Sequence, residues 1–277
     1  MTPPRRPKPK PTTKPTGKPS VWSSESWRDP AKYSSLERGL NVYTARTTRP
    51  MSLLITIDHR ARQPFTKDAW RDFLGLDAGG LKIGLGVRFG ILRDLEVGIY
   101  RLNGTNEIFD TYELDARWRF LRQSKHHLDV AVRAGLTWFS QPKMDDAVGA
   151  FGQLMATRTL WRRLTLSLIV AVHSDSSGPE KSNLDTAWSL GVGGLVEVRI
   201  ARFMAWNFEL VGTAAGYGAK WPAWSSSLKI ISPGHTFSFL VSNTQYITAD
   251  GLVAGSPMGF KDLIVGFVIT RGIHIPH

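Results

Sequence analysis

Apolar and polar residues alternate strictly in the stretch DTYELDARWRFLR, residues 110–122. One parity carries apolar side chains, and the other carries four charges, Glu113, Asp115, Arg117 and Arg119. A period of two predicts a β-strand whose two faces meet unlike surroundings. In a soluble sheet the apolar face would cover a core and the charges would meet solvent. In a membrane barrel the apolar face would meet lipid and the charges would point into the lumen.

Strand patterns fill the chain after Pro50. No segment approaches the roughly 18 consecutive apolar residues that a membrane-spanning helix needs. A membrane barrel is still possible, because its strands of about ten alternating residues give no peak in a hydropathy plot. About twelve strands are predicted, with ends defined to within about 3 residues, near residues 51–59, 80–90, 95–101, 110–121, 128–139, 147–160, 164–173, 186–200, 204–216, 224–231, 235–244 and 260–271.

The connections between these strands alternate in length. Tight turns such as ILRD and WRR are separated by longer segments such as RARQPFTKDAWRDFLGLDAG and QYITADGLVAGSPMG. In an up-and-down meander, alternate connections lie at the same end, so one end has tight turns and the other has large loops. This asymmetry is typical of bacterial outer-membrane barrels. The sequence therefore predicts an all-β fold, an antiparallel up-and-down transmembrane barrel of about twelve strands.

Aromatic residues cluster at the predicted strand ends. A membrane barrel carries two such girdles, one at each lipid–water interface, whereas a soluble barrel would use the same residues to cover its core. The predicted girdle beside the short turns contains Phe89, Trp118, Phe120, Trp161 and Trp206. The predicted girdle beside the long loops contains Tyr100, Trp138, Trp188, Trp221 and Trp224.

Charges on the face opposite the apolar residues are the candidate lumen-lining groups. Because both signs occur together, carboxylates and guanidiniums can pair across a narrow barrel, so a plugged or constricted interior and an open pore are both possible. We expect Arg117 and Arg119 to pair with carboxylates such as Asp129, Glu197 or Glu209. The inward glycines Gly84, Gly86, Gly191 and Gly193 would leave space beside long side chains. The candidates are Lys82, Arg88, Glu96, Glu113, Asp115, Arg117, Arg119, Asp129, Arg133, Glu197, Glu209 and Lys229.

The N-terminal region differs in composition from the rest. Residues 1–20 carry six Lys or Arg and no acid, half of the net charge of +12, and their proline content predicts a disordered tail. Residues 21–49 are predicted to be a linker with one short helix near 29–40 that ends at Gly39, and residues 50–277 form the barrel domain. No room is left for a second helix. No secretory signal peptide is visible.

The expected partners follow from this distribution of charge. We expect membrane lipids around the barrel. The basic tail is either an unstructured extension with no dedicated partner or a tether to anionic material such as the cell wall, another periplasmic component or lipid headgroups. Nucleic acid is not expected, because no aromatic residues lie between the charges of the tail to stack on bases. The chain has no cysteine, which excludes disulfides and thiolate metal sites.

Four sequence blocks resemble a known family. They are RPMSLLITIDHRARQ, FLGLDAGGLKIGLGVRFGILRDLEVGIYRLNG, YELDARWRFLRQ and GHTFSFLVSNTQ. The chain resembles, over about residues 49–272, an uncharacterised bacterial outer-membrane β-barrel family that is defined as a domain of unknown function. The resemblance implies a barrel fold in the bacterial outer membrane and implies no activity. The chain differs from the usual pattern of such barrels because VITRGIHIPH continues past the last strand.

Candidate chemistry in the sequence is weak. An outer-membrane phospholipase would need a serine on the face of its histidine, but in VHSDSSG the residue two after His173 is Asp175, not Ser174 or Ser176. The histidines in TIDHR and KHH have no converging ligands for a metal. The glycines of GLGVRFG continue a strand, so no dinucleotide fingerprint is formed. We therefore predict no enzyme, no catalytic or cofactor-binding residue and no metal.

Two kinds of function remain at this stage. The sequence favours an outer-membrane barrel that acts as a narrow or plugged channel for a small polar solute, or as a membrane anchor for a periplasmic partner. The alternative is a soluble β-barrel that binds an apolar ligand, and a phospholipase-like enzyme is the third hypothesis. The loops near 174–185 and 245–259 are candidates for binding a ligand from outside.

Overall fold

The structure is a computed structural model that describes residues 37–62, 64, 81–104, 110–140, 146–176 and 187–275. Twelve antiparallel strands form one closed barrel in sequence order, and pairing of the first with the last closes the sheet. This confirms the predicted fold class. The strands are β1 Ser52–Ala61, β2 Leu81–Leu92, β3 Leu95–Leu102, β4 Asp110–Leu121, β5 Asp129–Ser140, β6 Ala147–Leu160, β7 Leu164–His173, β8 Ser189–Ala201, β9 Met204–Gly216, β10 Ala223–Ser232, β11 His235–Ser242 and β12 Ile264–His274.

The faces of the strands follow their sequence parity. In β4 the residues Glu113, Asp115 and Arg117 are buried, while Leu114 and Trp118, of the opposite parity, are exposed. In a closed barrel the buried parity faces the interior, so the charged face of DTYELDARWRFLR points inward. The same apolar exposure recurs around the barrel, at Leu85, Ile99, Leu114, Leu136, Val148, Leu168, Val192 and Phe239.

The two ends of the barrel are different. The connections β2–β3, β4–β5, β6–β7, β8–β9 and β10–β11 are short and lie together at what we call the short-turn end. The β4–β5 connection includes α1, the single turn Gln123–His126. The opposite, long-loop end carries the other connections. Within the described ranges no helix is long and apolar enough to cross a membrane.

Exposed aromatic residues occur at both ends, as predicted. Trp118, Phe120, Trp161 and Trp206 are exposed toward the short-turn end, and Trp138, Trp188 and Trp221 toward the long-loop end. Tyr100 is a correction, because only 3% of it is exposed and it points into the barrel. Its ring lies against Gly84 and Gly86, where a Cβ atom would collide with it. The space left by these two glycines is therefore filled by Tyr100.

Residues 37–49 form a hairpin inside the barrel, which we call the lumen hairpin. Arg38 pairs with Tyr43, and the amides of Gly39 and Thr44 donate to the carbonyls of Val42 (2.8 Å) and Glu37 (3.1 Å). The sequence analysis assigned this segment to a linker with a helix near 29–40. Residues 29–36 of that helix lie outside the described residues, and residues 37–40 are not helical.

The β11–β12 connection also folds into the barrel, from the long-loop end. We call residues 243–256 the inner loop; it contains α2, Ala249–Ala254, all six residues of which are buried. Two predictions are therefore wrong. The chain has room for a second helix, and the loop near 245–259 is not an outer polar loop, because its apolar residues pack inside. Of the loop near 174–185, residues 177–185 lie outside the described residues.

The lumen hairpin and the inner loop meet in one apolar cluster. Val42, Tyr43 and Ala45 of the hairpin and Leu252 and Val253 of α2 belong to it. The wall contributes inward apolar residues from several strands, including Ala131, Met155, Ile169, Ala171, Leu195 and Val211. The interior of the barrel is thus a packed core made of wall, hairpin and loop.

Candidate functional site

The charged wall of the lumen is built by β2 to β5. The register sets Glu96 beside Arg117 and Arg117 beside Arg133 on adjacent strands. Asp115 accepts hydrogen bonds from Arg88 (3.1 Å) and Arg133 (2.7 Å), and Arg133 also donates to Glu113 (2.8 Å). These side chains are all buried. Buried charges are usually paired and hydrogen-bonded. Each charge in this network has a partner of opposite sign, although the Nε atoms of Arg117 and Arg133 have no hydrogen-bond partner in the described part of the chain.

Tyr43 of the lumen hairpin occupies the centre of this charged wall. The guanidinium carbons of Arg133, Arg88 and Arg117 lie 4.4, 4.8 and 5.0 Å from the centroid of its ring. The electron-rich face of an aromatic ring attracts such cations, by about 2 kcal/mol or more where water is excluded. The hairpin therefore places the aromatic ring of Tyr43 among three arginine side chains of the wall.

Carboxylates of the wall accept hydrogen bonds from the backbone of the hairpin. Glu209 on β9 accepts from the amides of Leu40, Asn41 (2.8 Å) and Val42 (3.1 Å). A Cβ atom at Gly39 would collide with the same carboxylate, so the close approach requires glycine there. This set of bonds satisfies amides at the tip of the hairpin that would otherwise be buried without partners.

The legs of the hairpin are held nearer the short-turn end. Arg117 donates to the carbonyls of Glu37 (3.0 Å) and Thr44 (2.9 Å), one on each leg, and pairs with Glu96 at 2.7 Å. Glu96 also accepts from the amide of Thr48 (2.5 Å). Because both legs contact this one ion pair, the hairpin enters and leaves the lumen by the short-turn end.

The inner loop fills the other half of the lumen. The amide of Ala249, at the start of α2, donates to Glu113, and the hydroxyl of Thr213 on β9 donates to the carbonyl of Val253 (2.7 Å). A Cβ atom at Gly191 would lie about 3.0 Å from the backbone of Val253. Helix α2 therefore packs against a flat part of the wall that glycine leaves free.

The opposite wall, formed by β1 and β10 to β12, is lined by small hydroxyl residues. A cavity of about 20 Å³, room for about one water molecule, remains there. It lies beside Arg38 and Lys229, and its hydroxyl lining is Thr56, Thr236, Ser238 and Thr270. The hydroxyl oxygen of Thr236 is buried without a hydrogen-bond partner in the described part of the chain, as is that of Ser227, which lies four residues away along β10 from the position opposite Thr236. The lumen is therefore not an open pore in this conformation.

Eleven of the twelve charges predicted to line the lumen are buried. The exception is Arg119, which lies at the short-turn rim and pairs with Asp94 at 2.8 Å and Asp129 at 3.5 Å. The sequence analysis offered Asp129, Glu197 and Glu209 as partners for the arginines of β4. Only Asp129 pairs with one of them, because Glu197 pairs with Lys229 (2.6 Å) and Glu209 binds the hairpin. At the long-loop end, the ammonium of Lys82 donates to the carbonyl of Asn103 (2.8 Å).

Asp94 in the β2–β3 turn is the centre of this rim cluster. Partial burial opposes its ionisation, but hydrogen bonds from Arg122 and Arg119 outweigh burial and hold the pKa of Asp94 below its ordinary value. Arg46 of the hairpin reaches the same rim and donates to Asp129 (3.1 Å). The base of the hairpin is thus fixed to the short-turn rim by charge.

Sequence reasoning missed the residues of the hairpin, including Arg38, Tyr43 and Arg46, and also the inward pair Asp58 and Arg60 on β1. Arg38 pairs with Asp58 (3.3 Å), and Arg60 donates to the side chain of Asn41 (2.5 Å). The parity of β1 was a usable signal, since Asp58 and Arg60 alternate with Ile57 and His59. No strand-like pattern marks the hairpin itself.

His173 has the contacts of a structural residue. Its Nδ1 accepts from the amide of Asp175 (3.0 Å), so the proton sits on Nε2, which lies 2.9 Å from the hydroxyl of Thr137. Its ring stacks on Phe151. A histidine whose acceptor nitrogen is already occupied cannot activate a serine. Among the described residues no group of three or more acidic or histidine side chains converges on a metal position.

A closed antiparallel barrel that is apolar outside and charged inside is a membrane β-barrel, here with its lumen occupied by its own chain. The sequence matches a family model over residues 36–272, and the chain belongs to that family, described as membrane bound beta barrel domain (DUF5777). The resemblance noted in the sequence is therefore confirmed.

Several solved structures are similar to this chain at low sequence identity. An outer membrane channel from Pseudomonas putida F1 is 10% identical, with a TM-score of 0.55 over 87% of this chain and 98% of that one. A NanC porin is 10% identical, with a TM-score of 0.47 over 79% and 98%. LpxR from Salmonella typhimurium is 8% identical, with a TM-score of 0.38 over 79% and 99%. The comparison with curated proteins finds no match.

Proposed function

We propose that the protein is a plugged channel of the bacterial outer membrane, in which the lumen hairpin is a displaceable plug. The observation that carries this proposal is that residues 37–49 are held inside the barrel by hydrogen bonds and ion pairs to the wall, and join a wall strand only at their C-terminal end, through Pro50 and Met51 to β1. Both legs of the hairpin open at the short-turn end, which is the periplasmic end of such barrels. A plug of this geometry can move without breaking any strand pairing.

The route for a solute would follow the hydroxyl-lined wall of β1 and β10 to β12. That wall holds the residual cavity, and its hydroxyl groups can exchange hydrogen bonds with a small polar solute. The wall of β2 to β5 cannot serve, because its charges are committed to each other and to Tyr43. The similar fold of an outer membrane channel agrees with this proposal. We assign no enzymatic activity to the chain.

We extend this proposal to the basic tail, residues 1–20, and its partner. Glu37, where the described chain begins, lies on the leg of the hairpin that Arg117 binds toward the short-turn end. We therefore propose that residues 1–20, with their six Lys or Arg, contact anionic cell-wall material there. A force applied to the tail would be transmitted to the leg of the hairpin that begins at Glu37, whose carbonyl accepts a hydrogen bond from Arg117.

A reversible crosslink tests the displaceable plug. Asn41 at the hairpin tip donates to Ser225 on β10 at 2.9 Å, and the chain has no cysteine, so Asn41→Cys with Ser225→Cys creates a single disulfide candidate. The measurement is single-channel conductance of the full chain in a planar bilayer. We expect openings in the reduced protein and at least about tenfold fewer after oxidation, since such a bond typically contributes about 2–4 kcal/mol.

The matched control is the single variant Asn41→Cys, whose openings should not respond to oxidation. Equal conductance of the double variant in both redox states would show that the hairpin does not control the path. Absence of openings and of solute flux in every state would favour the other hypothesis, a membrane anchor for a periplasmic partner.

A further inference from the structure

The short turns carry a group of exposed basic side chains that lie outside the charged network of the lumen. We call Arg93, Lys125, Arg162, Arg163 and Arg202 the basic rim; all five are exposed. They lie on four of the five connections at the short-turn end. Turns at one end are separated by two strands, or about 10 Å around the barrel. The basic rim therefore forms an arc of positive charge at one membrane interface.

The described short turns supply almost no compensating charge. Their one acidic residue is Asp94, which already binds Arg119 and Arg122. Asp129 and Glu96 behind the turns are buried and paired with arginines. The field of the basic rim is thus directed outward.

Exposed apolar side chains fix the depth of the basic rim in the membrane. Leu92 precedes Arg93, Trp161 precedes Arg162, and Phe203 follows Arg202; Leu92 is 60%, Trp161 82% and Phe203 52% exposed. Tryptophan and phenylalanine at strand ends lie at the boundary between hydrocarbon and headgroups. The neighbouring basic groups must then lie at the level of the lipid phosphates.

The backbone of the β6–β7 turn gives an independent reason to regard this arrangement as functional. Trp161 and Arg162 have φ values of 47° and 60°, and the amide of Arg163 donates to the carbonyl of Leu160 (3.0 Å). A two-residue turn with both φ values positive favours Asn and Gly, and bulky residues there are strained. Strain of this kind persists where a side chain serves a function.

We propose that the basic rim binds the phosphate groups of anionic phospholipids in the leaflet that contacts the short-turn end. Lipid is the favoured source of phosphate because Arg93, Arg162 and Arg202 are each adjacent to an exposed apolar side chain that can insert at the interface. The rim would fix the vertical position of the barrel and keep anionic lipid beside the base of the lumen hairpin. This inference does not depend on whether the hairpin moves.

Quenching by brominated lipid tests the proposal. The full chain is placed in vesicles of phosphatidylcholine and phosphatidylglycerol, with bromine on the acyl chains of either lipid in turn. The contribution of Trp161 is obtained by comparison with Trp161→Phe. We expect phosphatidylglycerol to be enriched around Trp161, and Arg162→Gln with Arg163→Gln to reduce this enrichment by about fivefold per arginine at low salt.

The matched control is Lys220→Gln with Lys261→Gln, which removes the same charge from exposed positions at the long-loop end. This control should leave the enrichment unchanged, and high salt should weaken the enrichment in the unmodified chain. Equal quenching by both lipids in the unmodified chain would overturn the proposal. So would an enrichment that survives loss of both arginines, or one that the control reduces equally. The circular dichroism of each variant shows whether its barrel has formed.

Discussion

Replacement of Arg117 by leucine is expected to lower the free energy of unfolding by about 3–5 kcal/mol. The Arg117 side chain is fully buried, pairs with Glu96 and donates to both legs of the lumen hairpin. Its loss would remove the guanidinium donor from the carbonyls of Glu37 and Thr44 and weaken the compensation of the Glu96 charge, although the Glu37 carbonyl would still accept from the amide of Thr44. Reversible unfolding in lipid vesicles, monitored by tryptophan fluorescence, measures the change.

Arg119→Leu is the matched control for Arg117→Leu. Arg119 lies two residues further along the same face of β4, but it is partly solvated at the rim and its partner Asp94 is also bound by Arg122. A solvated pair of this kind contributes about 1 kcal/mol or less. Similar small losses for the two variants would mean that water fills the lumen around Arg117, contrary to the packed interior described above.

Leu114→Arg is expected to cost about 2–4 kcal/mol in the same assay. Leu114 is 60% exposed on the outer face of β4, close to the middle of the strand. There the arginine would meet hydrocarbon, which solvates charge poorly.

Leu92→Arg provides the control for depth. Leu92 is also 60% exposed, but it is the last residue of β2, beside a short turn. An arginine at the interface costs about 0–1 kcal/mol. If Leu114→Arg proved harmless while Arg117→Leu prevented membrane insertion, the two faces of β4 would be assigned backwards.

The wall of the barrel was predictable because it obeys a local rule. Every strand alternates between lipid and interior, so parity alone assigned residues such as Glu113 and Leu114 to opposite faces, and loop lengths assigned the two ends. Tyr100 was misplaced because an aromatic residue near a strand end satisfies the girdle pattern on either face. The parity of β3 gives the correct face, because Tyr100 shares it with the inward Glu96, and the inward glycines Gly84 and Gly86 leave the space that its ring fills.

The contents of the lumen were not predictable in the same way. The hairpin is held by backbone amides donating to Glu209 and Glu96, and such contacts leave no periodic pattern in the sequence of residues 37–49. The inner loop contains too few residues in α2 to show a helical period. Which charged groups pair also depends on their three-dimensional positions. Glu209 was therefore predicted to pair with an arginine of β4, although it accepts hydrogen bonds from the backbone amides of the hairpin.

Hydrogen exchange of the lumen hairpin tests the central claim most directly. In the full chain in lipid vesicles, the amides of Asn41, Val42, Ala45 and Thr48 donate to buried wall groups and should exchange far more slowly than in a free peptide of the same sequence. The measurement is mass spectrometry of peptides covering residues 38–49, with a strand such as β4 as the protected reference. We expect slow exchange if the lumen hairpin closes the barrel. Exchange at the rate of the free peptide, while β4 remains protected, would show that the hairpin does not occupy the lumen.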